Sequence, residues 1–202
     1  MAKKHKDRKY IQGLISKSVD EIYSTTKDNF LSSCGREITL AIEKILKCYA
    51  KKPRGKVILF GNGGSALDAQ HMCCELIGRF KKEREGLPAI ALNTDISVLT
   101  ALSNDYSYDI VFCRQVQALI NKNDVVIGIS TSGNSSNVIR GVEEAKKIGA
   151  YTIGLTGDGG GKLKNVVDLC IRVPSNDTPR IQEMHTMVIH IICEVIEEIL
   201  FN

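Results

Sequence analysis

An α/β fold with a parallel sheet is predicted by three features of the chain: five short apolar runs, helix-like stretches between most of them, and small polar loops closing the runs. The runs are KVILF at 56–60, PAIALN at 88–93, DVVIGIS at 124–130, YTIGLT at 151–156 and VVDLCIRV at 166–173. Runs this short and this continuously apolar read as strands buried on both faces. Two helices precede the first strand. Ile11, Leu14, Ile15, Val19, Ile22 and Tyr23 recur near helical spacing over 8–30, as do Ile38, Ile42, Ile45, Leu46 and Tyr49 over 36–50. Ser32, Ser33 and Gly35 read as a break between them, and Pro53 with Gly55 ends the second. Further helices are expected at 65–79, 96–103, 108–120, 136–148 and 181–200. In the last of these Met184, Met187, Val188, Ile191, Ile192, Val195 and Ile196 form the packing surface.

Bulk composition narrows the class. A chain of 202 residues, 43% hydrophobic and 25% charged, fits one domain with a buried core, read here as 1–202. The net charge of +4 is carried by the opening MAKKHKDRK, which holds five Lys or Arg against one Asp. The rest is about neutral, so a nucleic-acid partner is not expected. Seven cysteines with no CxxC pair read as free thiols in a reducing compartment. No run is long enough to cross a bilayer, so neither a membrane role nor an export signal is expected, and the protein is placed in the cytoplasm.

In parallel sheets ligands gather beyond the carboxyl ends of the strands. Here those ends are GNGGS, NTD, STSGNSS and TGDGGG, rich in backbone N–H groups and hydroxyls. The first is a poor dinucleotide fingerprint: Ala66 replaces its last glycine, and Asp95 lies 32 residues past Gly63 rather than about 20. GxxxxGK[ST] is absent, which argues against a P-loop ATPase. Ser130, Thr131, Ser132, Gly133, Asn134, Ser135 and Ser136 join a strand to a helix, where hydroxyls and free N–H groups can converge on one phosphate. The plainer reading is that Ser132 or Ser135 caps the helix. Ser65, at the mouth of a neighbouring strand, can close the anion site from a second side. A phosphorylated metabolite is therefore preferred over a dinucleotide.

His71 and Glu75 stand four apart on one helix face and can hold a divalent metal or act as an acid/base pair. The last helix adds Gln182, Glu183, His185 and His190. Gln182 and His190 are eight apart, about 12 Å of helical rise, so one metal reaches both only with help from long side chains, irregularity or another subunit. His185, three residues past Gln182 and five before His190, does not share the face of both and reads as structural or peripheral. Cys73 and Cys74 have no activating histidine in register and read as core thiols.

GNGGSALDAQHMCCELIGRF, LNTDISVLTALSNDYSYD, GISTSGNSSNV, GLTGDGGG and TPRIQEMHTMVIH together resemble, in order and over nearly the whole chain, the phosphoheptose isomerase family of the sugar isomerase (SIS) fold. The resemblance implies a five-stranded parallel sheet flanked by helices, a flavodoxin-like or Rossmann-like sandwich, with 8–50 as an oligomerisation region. It implies isomerisation of D-sedoheptulose 7-phosphate to D-glycero-D-manno-heptose 7-phosphate in bacterial heptose synthesis, by a homotetramer with intersubunit active sites. It also implies one zinc per subunit on His71, Glu75, Gln182 and His190, with Glu75 and His190 as acid/base residues. Phosphate contacts map to Ser65, Ser130, Thr131, Ser132 and Ser135. Sugar contacts map to Asn62, Gly63, Arg79, Asp95, Asp105, Thr178 and Gln182, and Asn104 with Asp105 is expected near a neighbouring site. Relatives of the same fold that bind the replication initiator or sense a sugar phosphate are the alternatives. The complete His71, Glu75, Gln182 and His190 set favours the enzyme.

Overall fold

The computed structural model describes residues 8–202, so most of the basic opening segment lies outside the described residues. The sheet has five parallel strands, β1 (Val57–Gly61), β2 (Ala89–Ala91), β3 (Val125–Ile129), β4 (Tyr151–Thr156) and β5 (Leu169–Arg172), in the order β2-β1-β3-β4-β5. Val57, Ile58 and Leu59 of β1 pair with Val125, Val126 and Ile127 on one side and with Ala89, Ile90 and Ala91 on the other. The crossovers use α2 (Gly64–Ile77), α3 (Ile96–Asp105), α4 (Val111–Leu119) and α5 (Ser136–Ile148), and α6 (Thr178–Leu200) ends the chain. A single 3-10 turn, Tyr108–Ile110, leads into α4.

Every residue of β1 and β3 is buried, as expected of strands covered on both faces. One core lies between the sheet and α1 (Arg8–Ala50), α2 and α6, and includes Ile45, Leu59, Met72, Ile127, Ile153 and Val188. The other, around the stacked rings of Phe60 and Phe112, lies under α4 and α5. The order reverses between β1 and β3, which opens a crevice at their carboxyl ends. α5 stops at Gly149, left-handed at φ 91°, whose N–H reaches the carbonyls of Ala145 and Lys146.

One expectation is corrected. The first two helices are a single α1, Arg8–Ala50, with no break at Ser32, Ser33 or Gly35. Hydroxyls that could have ended the helix bond back into it instead: Thr26 donates to the Ile22 carbonyl at 2.7 Å, Ser32 to Asn29 at 3.0 Å and Thr39 to Gly35 at 3.0 Å. Packing of Phe30, Cys34, Ile38, Ala41 and Ile45 on the sheet and α6 outweighs the weak helix propensity of one glycine. Along its first half α1 leaves Ile11, Leu14, Ile15, Val19 and Tyr23 exposed. No described helix is long and apolar enough to cross a membrane.

Candidate active site

α2 starts directly behind β1, and α6 runs along it in the same direction, one turn against one turn. The Gln182 amide lies against Gly64, where an added Cβ would stand 2.3 Å from its Nε2. One turn on, Thr186 Oγ1 donates to Asp68 Oδ1 at 3.2 Å. At the next turn His190 Nε2 meets His71 Nε2 at 3.2 Å, with the two rings edge to face. Beyond the end of α2, the N–H groups of Phe80, Lys81 and Lys82 donate to Glu197 at 2.9, 2.7 and 2.7 Å. Residues 64, 68, 71 and 75 share one face of α2, so the ladder follows from helical periodicity on both sides.

Glu75 Oε1 lies 3.2 Å from His71 Nε2, the same nitrogen that faces His190. Glu75, His71 and His190 therefore form a line of proton-carrying groups. Between His71 and His190 one nitrogen must donate and the other accept, so His71 Nε2 serves only one of its two neighbours in a given protonation state. Beside this line opens a cleft of ≈ 440 Å³, walled by Gly64, Asp68, His71, Gln182 and Thr186. Asp68 is buried, its Oδ2 has no hydrogen-bond partner, and burial raises its pKa to about 6 despite the Thr186 hydroxyl.

The zinc implied on His71, Glu75, Gln182 and His190 is corrected. Among the described residues no group of three or more His, Cys, Asp or Glu side chains is arranged to hold a metal ion. The ladder supplies the reason: Gln182 sits at the Gly64 rung and His190 two turns further on, while His71 Nε2 is turned onto its two neighbours. The eight-residue separation thus keeps the two ends apart.

Beside the cleft, the loop after β3 carries the hydroxyls. Ser135 occupies the N-cap position of α5 but makes no capping bond; its Oγ lies 2.9 Å from Ser130 Oγ. The simple capping account therefore fails for Ser135, and the start of α5 offers N–H groups beside clustered hydroxyls. Ser132 is engaged within the loop, accepting from the Asn134 N–H at 3.2 Å. Ser65 is buried in the first turn of α2, just past β1. The loop after β4 braces the serine loop from behind. Gly157 N–H donates to the Thr131 carbonyl at 3.0 Å, Leu163 N–H to Gly133 at 2.9 Å and Lys162 N–H to Asn134 Oδ1 at 3.1 Å. This approach needs glycine: Gly133, Gly160 and Gly161 have φ of 65°, 69° and 53°, and a Cβ on Gly133 would lie 2.1 Å from the Gly160 carbonyl oxygen.

Other expected residues are placed as follows. Asn62 exchanges two amide hydrogen bonds with Asn137, both 2.9 Å, and accepts from the Tyr108 hydroxyl at 3.0 Å. Gly63 takes φ 55° at the start of α2. Asp95 caps α3 through the Val98 N–H, and Asp105 accepts from Asn104 at 2.9 Å at the far end of that helix. Arg79 is paired with Glu83 at 3.8 Å, and Thr178 is the exposed first residue of α6. Arg79, Asp95, Asp105 and Thr178 do not wall the cleft. His185 is fully buried; burial pushes its pKa down to about 4, with the Thr156 backbone pulling weakly the other way. Cys73 is buried, and its thiol is pushed up to about 12 by burial. Cys74 is exposed.

The residues that sequence reasoning missed are Asp68, Thr186, Asn137 and Tyr108. Asp68 was accessible to it, since it lies three before His71 and seven before Glu75, on their face. Asn137 and Tyr108 are joined to Asn62 only by the fold.

Comparison with known proteins agrees with this arrangement. The SIS domain family model matches residues 21–157. The chain is 60% identical over 149 residues to a phosphoheptose isomerase of a Nitratiruptor species, covering 74% of this chain and 80% of that one. To the phosphoheptose isomerase of Helicobacter pylori (strain HPAG1) it is 60% identical over 144 residues, 71% of this chain and 75% of that one. A solved structure of phosphoheptose isomerase from Neisseria gonorrhoeae superposes with a TM-score of 0.85 at 39% identity, covering 93% of this chain and 99% of that chain.

Proposed function

The chain belongs to the phosphoheptose isomerases of the SIS-domain family, and from that premise we propose how its residues divide the reaction. The reaction is the conversion of D-sedoheptulose 7-phosphate to D-glycero-D-manno-heptose 7-phosphate. The phosphate is held by Ser65, Ser130, Thr131, Ser132 and Ser135 with the first N–H groups of α5. The open-chain sugar then runs along Asn62 and Gly63, and its hydroxyketone end enters the cleft beside Gln182. Arg79, Asp95, Asp105 and Thr178 are proposed as outer sugar contacts, reached from this subunit or from a neighbour.

Glu75 takes the proton from carbon 1 as an imidazole N–H polarises the carbonyl at carbon 2, giving an enediolate. His190 carries a proton between the two oxygens, and proton return to carbon 2 gives the aldose. The observation that carries this reading is the contact line Glu75, His71, His190 at 3.2 Å per step beside an open cleft. It supplies a base and an oxygen-side proton carrier, each 3.2 Å from the same His71 nitrogen.

A homotetramer with active sites between subunits is proposed, supported by the exposed apolar face of α1 and by a groove of ≈ 420 Å³ between α1 and α6 lined by Leu31, Ile42, Ile191 and Ile199. All of 1–202 is read as one functional domain working in the cytoplasm, a placement supported by seven unpaired cysteines.

Proton NMR of sedoheptulose 7-phosphate with the protein in heavy water tests the mechanism. Aldose carrying solvent deuterium at carbon 2, absent with Glu75→Gln, is the expected result. Undiminished conversion by Glu75→Gln overturns the assignment of Glu75 as base, and no conversion by the unaltered protein overturns the isomerase reading.

A further inference from the structure

α2 ends at Ile77, two residues past Glu75, and the chain then turns through 78–86 before β2. The last carbonyls of a helix have no partner within it. Here Arg84 takes them: its Nη2 donates to the Glu75 carbonyl at 2.8 Å, and its Nη1 donates to Leu76 at 2.9 Å and to Gly78 at 3.0 Å. Its Nε donates at 2.9 Å to Glu197 of α6, and both side chains are almost fully buried, 2% and 3% exposed. Glu197 also accepts the N–H groups of Phe80, Lys81 and Lys82. Phe80 in turn lays its ring against His190, centroids 5.6 Å apart.

We infer that Arg84 and Glu197 are a positioning pair for the isomerase, locking the end of α2 to α6 so that Glu75 and His190 are held in line across His71. The inference rests on the proposed roles of Glu75 and His190. The pair touches neither the cleft nor the serine loop, so its loss acts on the proton-transfer geometry and leaves phosphate binding alone. Lysine cannot replace Arg84, because one ammonium cannot span three carbonyls and a carboxylate as a planar guanidinium does. Glutamine at 197 keeps the shape, but its NH2 cannot accept, so the two bonds to one oxygen are lost and the two to the other lose the carboxylate's charge.

The test uses full-length Glu197→Gln and Arg84→Lys, the second retaining the charge pair in case the first does not fold. Steady-state kinetics below both melting temperatures are combined with imidazole proton–nitrogen NMR spectra. The expected result is a fall in kcat of about tenfold or more, KM within about twofold, and displaced His190 ring signals. Unchanged kcat and unchanged His190 signals in a folded variant overturn the inference. If the unaltered protein does not isomerise the sugar, the functional reading fails on its own, and the His190 signals still decide whether the pair positions that ring.

Discussion

Gly64→Ala should leave the fold standing and disable the site. An alanine Cβ would lie 2.3 Å from Gln182 Nε2, 2.8 Å from its Cδ and 2.9 Å from its Oε1. Relaxed non-bonded contacts begin at about 3.5 Å, so the amide must retreat by about 1.2 Å. What it meets is the end of a flexible side chain, so the retreat costs little. Alanine is favoured over glycine in a helix by up to about 1 kcal/mol, which offsets that cost. The melting temperature should hold. Misplacement of a substrate-positioning group by about 1 Å costs about 100-fold, or about 2.7 kcal/mol of transition-state stabilisation. The assay is kcat/KM for aldose formation beside a melting curve, for Gly64→Ala, Gln182→Ala and the double variant. If the loss runs through Gln182, the double variant is no worse than the worse single one. Activity within threefold of the parent at unchanged stability would refute the placement of Gln182 in the site.

Three further outcomes are expected. Gly35→Ala, whose Cβ meets only Leu31 at 3.7 Å, should raise stability by up to about 1 kcal/mol in chemical denaturation, whereas a helix break at that point predicts a loss. Two buried groups should oppose each other between about pH 4 and 6.5. His185, its pKa depressed from 6.5 to about 4, makes the folded state less stable as pH falls through that range. Asp68, its pKa raised from 3.8 to about 6, makes the folded state less stable as pH rises from about 4 to 6. Unfolding free energy measured against pH should therefore rise more steeply with pH in Asp68→Asn than in the parent, and less steeply in His185→Leu than in the parent. Ser135→Ala should raise KM by about tenfold with kcat within twofold, while stability drops by no more than about 1 kcal/mol, the cost of one hydroxyl bond. A large stability loss with unchanged KM would restore a purely structural Ser135.

The strands and the loops at their carboxyl ends were legible because both signals are local: continuous apolar runs, then Gly, Ser and Asn. His71 and Glu75 were legible for the same reason, being one turn apart on one helix. The break expected at Ser32–Gly35 was a misreading of side chains whose hydroxyls serve either a turn or the preceding carbonyls; tertiary packing of Cys34 and Ile38 chose the second. What no local pattern could supply is the register between helices a hundred residues apart. That register puts Thr186 on Asp68, separates Gln182 from His190, and brings Arg84 to Glu197. The zinc expectation failed there: four suitable donors were present in sequence, but the fold sets Gln182 against Gly64, two turns from His190, and no group of three or more among the described residues is arranged to hold a metal ion.

The loop after β4 has a consequence for affinity. With its main chain bonded to Thr131, Gly133 and Asn134, it holds the serine loop in place, so on the proposed phosphate assignment the loop is ordered before binding. Ordering a flexible loop costs about 1–2 kcal/mol per residue, so these three residues fixed in advance would spare about 3–6 kcal/mol that binding otherwise loses. The phosphate end can thus act as a stiff handle, registering the reactive carbons at the far end of a seven-carbon chain by the length of the molecule itself. On the proposed assignment, sugars one carbon shorter would be gripped just as firmly and held short of Glu75.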